Sequence, residues 1–536
     1  MWKEKDAGDS GGATDVMSRV EMPAPAPSGS RWFLLATTSA ACALIALDTN
    51  IVAVSLPSIA RAFHAGFADV EWVVSAYMVS FASCLLPMGG LADRYGRKKM
   101  LLLGLLVFAL ASLGCGIAPS VTLLNVSRAA KGVGAAMLVT AALAVIANAF
   151  PGPRERARAW AIWGMTMGIA TTVAPLVGGV ITQWVGWRWI FLLNLPICAL
   201  LIVCVLRVVT DSRNPHARRV DFAGSLLFGI GLACGIWALI GTQDDGWHSV
   251  ATALRFAVCV VLIAGFVAVE KRLAHAVIDL SLFSQPRFVA AVLGMFGYAA
   301  CAQVMMTFLP LYLQNAFEWA PVHAGIGMLP FALSMIVGPY LGARIGRHLT
   351  ASTSTLSIGL VMVGAGNLLT AAVAQSNDYA WVALGMIVTG LGAGVLNGDT
   401  QKAIMACVPS HRTGMASGIS TTTRFTAIVT SVGVLGAVLA SRTHSAIDAA
   451  MPCHAVSNAC VDARFMSDLL AGDIGHALTR LPPDLQHAMV SIAPAGFANG
   501  FAAALSVAGY LALVVAAGIW LLAGRGESRS DAIAGT

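Results

Sequence analysis

Long apolar runs limit the fold of this chain more than any other feature of its sequence. About fourteen runs of roughly 18 to 25 residues alternate with short polar turns, and about 20 apolar residues suffice for a helix to cross a bilayer. Only 11% of the 536 residues are charged, against about 25% in soluble domains. The sequence therefore predicts an all-α integral membrane protein. The runs lie near 32–56, 70–91, 100–118, 121–149, 158–182, 188–208, 222–242, 250–270, 288–313, 322–345, 353–374, 379–405, 414–440 and 497–523.

Positive charge predicts the orientation of these spans, because cytoplasmic connections of membrane proteins are rich in lysine and arginine. With residues 1–30 as a disordered cytoplasmic tail, the connections after the even-numbered spans are the basic ones. Both termini are therefore predicted to be cytoplasmic, in a protein of the cell's inner membrane. The net charge of +7 lies at helix ends rather than in one patch, which favours orientation in the membrane over a nucleic-acid partner.

A dense polar segment joins the second and third spans at residues 90–99, with the pattern G-x-x-D-R-x-G-R-K-K. Its glycines allow a tight backbone turn, and any turn between two membrane helices needs glycine and positive charge. The spacing, however, resembles the loop signature of the major facilitator superfamily. That resemblance implies the major facilitator fold and a gating role for this loop, whose motif residues are Gly90, Asp93, Arg94, Gly96 and Arg97.

A weak internal repeat indicates that the chain is built from two halves. Residues 341–347 echo residues 91–97, each at the end of an even-numbered span, although Ala343 replaces the aspartate. Parallel repeats of this kind build transporters of the superfamily. The predicted units are a six-helix half at 31–209, a linker at 210–221, an inserted helix pair at 222–272, and a second six-helix half at 286–525 that carries an extracytoplasmic loop at 441–494.

That loop contains Cys453 and Cys460. In an oxidising exterior the two can form a disulfide, and two free thiols are the alternative.

The first span carries a carboxylate, Asp48, within the segment L-D-T-N-I-V-A-V-S-L-P. Burying a carboxylate in a membrane helix costs about 2.5 to 3.5 kcal/mol, so such a residue by default has a function and faces the bundle interior. A purely structural cap or ion pair is the alternative. The segment resembles a motif of the fourteen-helix drug/proton antiporter branch, which implies proton coupling by Asp48. Asn50 and Ala53 depart from that motif.

The fourth span carries Arg128 within R-A-A-K-G-V-G-A-A, so far inside an apolar run that the arginine needs a partner. The segment resembles the family motif R-x-x-Q-G-x-G-A-A, whose arginine is linked to proton transfer, and this implies the same role for Arg128. Lys131 stands where glutamine is usual. This second cation can change which carboxylate pairs with Arg128, or it can lie close enough to the outer surface to reach it.

The fifth span contains G-x-x-x-G at 164–168 and A-P-L-V-G-G at 174–179. An ordinary proline kink with flanking glycines is the simpler interpretation. The pattern resembles the antiporter signature of the family, with an alanine in place of one glycine, and this implies export. The residues that carry the motif are Gly168, Pro175, Gly178 and Gly179.

The second half offers a further candidate for proton coupling, Asp399. A plain helix-end ion pair with Lys402 is an equal alternative, and Arg424 is a candidate partner from depth alone. The cavity between the halves is expected to be apolar, with helix packing as the alternative for each candidate lining residue. These candidates are Tyr77, Tyr298, Gln303, Met305 and Met306.

Nucleotide-binding and metal-ligand spacings do not occur in the sequence, so we expect no cofactor, no metal and no catalytic residue, with the proton gradient as driving force. Together with these patterns, the family resemblance implies a transporter, not an enzyme, that exports small amphipathic drugs or metabolites across the lipid bilayer in exchange for protons, by alternating access. A proton-coupled uptake carrier of the same fold and a receptor without transport are the alternatives. An outer-membrane partner is not identified by the sequence.

Overall fold

The computed structural model describes residues 28–150, 152–213, 221–272, 280–303, 305–347, 352–376, 378–408, 413–450, 463–479, 481 and 483–534. Most of the predicted tail, most of the predicted linker, and the two loop cysteines Cys453 and Cys460 lie outside these residues. The nine cysteines that the structure does describe are all free thiols. Helices and turns account for the described residues, with no strand among them.

Fourteen helical segments of the described chain are long and apolar enough to cross a membrane. In the first part of the chain the helices are α1 (Ser28–Phe63), α2 (Phe67–Tyr95), α3 (Arg97–Gly116), α4 (Val121–Ala149), α5 (Pro153–Trp184), α6 (Trp189–Leu192), α7 (Asn194–Val208), α8 (Phe222–Asp245) and α9 (Val250–Arg272). They continue as α10 (Pro286–Tyr298), α11 (Met305–Asn315), α12 (Pro321–Gly327), α13 (Leu329–Gly346), α14 (Ser352–Val373), α15 (Tyr379–Ala406), α16 (Thr413–Ala450), α17 (Ala463–Ala471), α18 (Ile474–Thr479) and α19 (Pro483–Ala534). A 3₁₀ turn (Leu280–Ser284) precedes α10, and a π-helical turn (Ala299–Gln303) follows it.

The long helices pack as two groups with one pair between them. In the first group α4 packs against α2 and α3, and α1 against α5; in the second, α15 packs against α13 and α14, and α14 against α19. The pair α8 and α9 pack on each other, and α8 also lies against α2 of the first group and α16 of the second. The predicted fold class, fourteen spans in two six-helix halves with an inserted pair, is confirmed. The exact domain boundaries stay predictions.

Close helix contacts depend on residues without bulky side chains. Where α13 crosses α15, for example, Gly338 and Gly394 face each other so closely that a methyl group on either would overlap the backbone of the other helix. Membrane helices associate mainly through packing, and small residues at a crossing let two backbones approach.

The π-helical turn interrupts the ninth span at mid-length. Its extra residue frees backbone carbonyls, and two of these accept hydrogen bonds from neighbouring helices: Ser431 Oγ donates to the Ala300 carbonyl at 2.6 Å, and Asn367 Nδ2 donates to the Cys301 carbonyl at 2.9 Å. Such bonds allow a broken helix to lie within a membrane protein. The turn ends at Gln303, which belongs to the polar cluster of the second half described below.

The two groups contact each other near one end of the bundle. We call the end that carries Arg94 to Lys99 the basic side, and the opposite end, where α17 and α18 lie, the cap side. Near the cap side, Gln314 Nε2 of α11 donates to the Val54 carbonyl of α1 at 2.9 Å. In the half of α5 nearer the basic side, by contrast, Gly164 and Gly168 face open space. The two halves are therefore in contact near the cap side, whereas α5 has no close neighbour at these two glycines in its half nearer the basic side.

Helices α17 and α18 reinforce this closure. Arg61 Nη1, at the end of α1, donates to the Gly472 carbonyl at 3.0 Å, and the Phe67 amide at the start of α2 donates to Ser467 Oγ at 3.0 Å. Gly472 has a φ of 90°, and a side chain there would meet Pro57 and Asn315. The cap helices thus touch helices of both halves.

Candidate functional site

Asp48 lies at the centre of a buried ionic cluster in the first half. Its carboxylate has no exposed surface and accepts hydrogen bonds from three side chains that belong to two other helices. Arg128 Nη1 donates to Oδ2 at 2.9 Å, while Lys131 Nζ and Asn194 Nδ2 donate to Oδ1 at 2.5 Å and 3.1 Å. Asp48 is therefore the partner that the sequence required for Arg128.

The geometry follows from the helices that carry these residues. Arg128 and Lys131 are three residues apart on α4, so their side chains project from the same face of that helix towards α1. Asn194 is the first residue of α7, directly after the break that separates α6 from α7. Three helices of one half thus converge on a single carboxylate.

Aromatic rings and one backbone carbonyl complete the surroundings of the two cations. The Arg128 guanidinium lies 4.3 Å from the centroid of the Tyr77 ring, and its Nε donates to the Val73 carbonyl at 2.9 Å. Lys131 Nζ lies 4.7 Å from the Phe108 ring and 5.0 Å from the Phe191 ring. Cation–π contacts of this kind stabilise a cation that has been removed from water. Lys131, with no exposed surface, does not reach the outside of the protein.

A second polar cluster occupies the other half. Arg424 Nε of α16 donates to Gln303 Oε1 at 2.6 Å, and its guanidinium lies 5.6 Å from the centroid of the Tyr298 ring. The Tyr298 hydroxyl donates to Asn397 Oδ1 at 3.0 Å. Tyr298 and Gln303 were both predicted to line the cavity, and the structure brings them together around Arg424.

Asp399 does not join either cluster. Its carboxylate accepts a hydrogen bond from Lys402 Nζ at 3.0 Å, one turn further along α15, and the lysine side chain is 79% exposed. This is the helix-end ion pair that the sequence analysis offered as the alternative. Arg424 pairs with Gln303 instead, because the two lie on facing helices while Asp399 lies nearer the basic side.

The other candidate cavity residues lie inside the helix packing. Tyr77, Tyr298 and Met305 have no exposed surface and Met306 has 5%, while Gln303 is partly exposed. In the arrangement described here, the packing alternative accounts for the four buried residues, and Gln303 is the member of the set that reaches open space.

Residues of the loop between α2 and α3 form hydrogen bonds that connect α2, α3, α7 and the segment after α7. Asp93 Oδ1 accepts two hydrogen bonds from Arg97, at 3.1 Å from Nε and 2.9 Å from Nη2. The Arg97 amide donates to the Ser212 carbonyl at 3.0 Å, and Lys98 Nζ donates to the Leu206 carbonyl at 2.9 Å. Gly96 has a φ of 114°, a conformation that favours glycine. Of the remaining motif residues, Gly90 lies near the end of α2 and Arg94 is exposed.

The glycines of the α5 motif differ on the two sides of Pro175: the glycine before it is loosely packed, with no close neighbour, and the glycines after it are tightly packed. Gly168 faces open space, whereas a methyl group at Gly178 would lie 2.8 Å from the Ile51 carbonyl of α1. A methyl group at Gly179 would overlap the Pro321 carbonyl, and Gly325 of α12 packs on the carbonyl of Pro175. The part of the motif from Pro175 to Gly179 is therefore where α5 of the first six-helix half contacts α12 of the second.

Three features of the site escaped the sequence analysis. Asn194 was not among the predicted site residues, although an amide inside an apolar run is a signal for a buried partner. Glu71, a carboxylate in the second span, is only 4% exposed and packs against Gly436 of α16. The cap helices α17 and α18 lie in a stretch that was interpreted only as a loop. Among the described residues, no group of His, Cys, Asp or Glu is arranged to hold a metal ion.

Comparison with known proteins agrees with this architecture. Residues 38–432 match the family model of the Major Facilitator Superfamily. The chain is 35% identical over 399 residues, 74% of each chain, to the multidrug resistance protein Stp of Mycobacterium tuberculosis (strain CDC 1551 / Oshkosh). It is 29% identical over 502 residues, 92% of each chain, to the tetracenomycin C resistance and export protein of Streptomyces glaucescens.

Solved structures show the same fold at low sequence identity. A bacterial homologue of the human lysosomal transporter Spinster superposes with a TM-score of 0.65 at 14% identity, covering 93% of this chain and 97% of the other. The peptide transporter POT gives a TM-score of 0.58 at 15% identity, covering 92% and 94%. With the family match spanning most of the sequence and the helices arranged in the corresponding fold, this chain belongs to the Major Facilitator Superfamily.

Proposed function

We propose that this chain exports small amphipathic compounds across the cytoplasmic membrane in exchange for protons, by alternating access. Its membership of a transporter superfamily and its similarity to proteins named for multidrug resistance and for tetracenomycin C resistance and export support the export of drug-like compounds. Proton coupling and the inner-membrane orientation are inferred here from the residues.

The observation that carries the proposal is the cluster around Asp48. One carboxylate lies between two cations, and none of the three side chains is more than 1% exposed. With two cations and one carboxylate, the ionised cluster has a net charge of +1. Protonation of Asp48 removes both ion pairs and leaves two cations facing each other away from water. Since an uncompensated buried charge is costly, the cluster cannot bind a proton and keep this geometry.

Because the cluster cannot keep its geometry when Asp48 is protonated, proton binding is coupled to movement of the helices that form it. Asp48 lies on α1, its two cations lie on α4, and Asn194 lies on α7, so loss of the carboxylate charge loosens the contact between three helices of one half. A ligand or proton shifts a conformational equilibrium only through different interactions in the two states. Protonation of Asp48 provides such a difference.

The positive-inside bias assigns the basic side to the cytoplasm, which agrees with the predicted cytoplasmic termini. In this orientation α5, α12 and the cap helices close the exterior end, while Gly164 and Gly168 of α5 face open space in the cytoplasmic half, and we take the arrangement to be open to the cytoplasm. This is the state in which a compound from the cytoplasm or inner leaflet enters. Protons return from the exterior after the halves have moved to the opposite arrangement.

The test is substrate-dependent proton release from everted membrane vesicles that carry the protein and have been energised to an acid interior. Lipophilic cations, neutral antibiotics and amphipathic acids are added in turn, and internal pH is followed. We expect at least one compound to dissipate the gradient with the intact chain and not with an Asp48 variant. Dissipation that is independent of Asp48, or solute movement only in the opposite direction, would argue against the proposal.

A further inference from the structure

Arg424 is a cation within the second half that has no carboxylate partner among the residues that the structure describes. It lies in the twelfth position of α16, about 16 Å along that helix from its first residue, and so well inside the bundle. Its side chain is half-buried. A charge inside a membrane protein is costly unless it is paired, which makes an unpaired one a candidate for binding a ligand.

The contacts of Arg424 fix its orientation and use only one of its donors. Nε is hydrogen-bonded to Gln303, and the plane of the guanidinium lies near the ring of Tyr298, which is itself held by Asn397. The two Nη groups make no hydrogen bond with a described residue. A guanidinium has five N–H donors in a planar fork, so four of them remain available to a ligand.

The geometry of that fork selects a class of ligand. Two Nη groups that point the same way match the two oxygens of a carboxylate, and charge-assisted bonds of this kind are about twice as strong as neutral ones. The next residue along α16, Phe425, contacts Phe81 of α2 with ring centroids 4.3 Å apart. Phe81 is only 1% exposed and Phe425 is partly exposed, so the apolar surface beside the cation is that of Phe425, which packs on the other half.

The charges of the first half disfavour a cationic ligand. Asp48 is already bound to Arg128 and Lys131, in a cluster whose net charge is positive. Glu71, a further buried carboxylate, lies about three helical turns from Phe81 along α2, towards the cap side. A cation entering between the halves would meet no available carboxylate near Arg424 in the described part of the chain.

We infer that the compounds this protein carries are amphipathic anions, whose acidic oxygens bind the Nη groups of Arg424 and whose apolar body lies against Phe425, which packs on Phe81 of the other half. The inference rests on the proposed function and specifies the substrate of that same transporter. Such anions have the opposite charge to the lipophilic cations that are common test compounds for drug exporters, because the residue that binds the charged group of the substrate is here an arginine.

The test compares three compounds of nearly equal shape: 1-naphthoate, methyl 1-naphthoate and 1-naphthylmethylammonium. Their binding to the purified full-length protein is measured by equilibrium dialysis. We expect the carboxylate to bind most tightly, and Arg424→Gln to weaken its binding about tenfold or more, the loss typical of a charge-assisted hydrogen bond. Arg424→Lys keeps the charge but not the planar fork of donors, so its affinity for the carboxylate should lie between those of the wild type and Arg424→Gln.

Two controls separate recognition from misfolding. Binding of the neutral ester should be unchanged in Arg424→Gln, which shows that the cavity is intact. Arg347→Gln removes the same charge from an exposed position in the same half and should leave carboxylate binding unchanged. Equal or absent binding of the three compounds, preference for the ammonium compound, or a carboxylate preference that survives in Arg424→Gln would overturn the inference.

Failure of this inference and failure of the proposed function give different results. If carboxylate binding depends on Arg424 but no compound moves protons in vesicles, the anion site stands and proton coupling fails. If protons move only in response to cations or neutral compounds, coupling stands and the anion site fails.

Discussion

Asp48 binds Arg128, Lys131 and Asn194 at once, so its replacement affects both stability and function. Asp48→Asn raises the charge of the cluster by one and leaves two cations without a carboxylate. Removing one partner of a buried ion pair typically costs about 3–5 kcal/mol, so we expect a clearly lower thermal stability in detergent and no proton-driven export. Wild-type stability together with wild-type export would contradict the role given to this cluster.

A second change separates these two effects. Lys131→Gln introduces the residue that is usual in the family motif, and in combination with Asp48→Asn it restores the net charge of the wild-type cluster. We expect the double variant to recover most of the stability lost in Asp48→Asn while remaining inactive in proton-driven export. Recovery of export in the double variant would show that the net charge matters and that Asp48 itself does not.

The sequence predicted Asp48 and Arg128 individually, because a charge inside an apolar run is conspicuous. It did not predict that Lys131 and Asn194 would share one carboxylate oxygen, since this depends on how α4 and α7 are rotated about their axes. Nor did it predict the pairing of Arg424 with Gln303, which depends on the π-helical turn at Ala299–Gln303. An amide and an alanine-rich run give no local signal for an extra residue in a helical turn.

At the scale of elements, α5 offers a matched pair of substitutions within one motif. Gly168→Ala places a methyl group in open space, whereas Gly179→Ala forces one against the Pro321 carbonyl of α12. Overpacking of this kind typically costs about 1–3 kcal/mol. We therefore expect Gly179→Ala to destabilise closure at the cap side and to increase labelling of an introduced Val322→Cys by a membrane-impermeant thiol reagent.

Gly168→Ala should leave both thermal stability and this labelling unchanged in the state described here. Equal effects of the two substitutions would mean that α5 and α12 do not seal the cap side. The sequence predicted the motif and its kink, but the distinction between its loose and tight glycines depends on the neighbouring half.

The loop between α2 and α3 carries a prediction about rate. Asp93→Asn weakens the two hydrogen bonds with Arg97, which lies where α2, α3 and the segment after α7 meet. We expect slower turnover, by several-fold, with unchanged affinity for substrate, as measured by transport rates and direct binding. Lys99→Gln, at an exposed position of the same loop, is the control that removes charge without this ion pair. Unchanged turnover in Asp93→Asn would mean that the loop only connects α2 and α3 and has no role in gating.

At the scale of the whole molecule, hydropathy predicted the number of spans, and the internal repeat together with the family resemblance predicted their grouping and the inserted pair. Each span is long enough to be recognised on its own, so the fold class did not depend on contacts between helices. The direction in which the cavity opens could not be predicted this way. It depends on small differences in packing between α5, α12 and the cap helices, and one sequence supports both arrangements of an alternating-access transporter.

The cap helices illustrate the same limit. Charge and composition indicated a polar loop between the last two spans, yet α17 and α18 bind the ends of α1 and α2 through Gly472 and Ser467. Their role at the closed end of the molecule depends on contacts between residues about 400 positions apart in the chain.

Proton release from reconstituted liposomes is the most direct test of the central claim that Asp48 couples proton movement to export. Purified wild-type protein and the charge-matched double variant Asp48→Asn, Lys131→Gln are reconstituted at equal density, the interior is acidified, and a compound shown to bind both proteins is added outside. The account predicts that the wild type releases protons at a rate that increases with the compound and that the double variant binds the compound but releases none. Proton release by the double variant at the wild-type rate would contradict it.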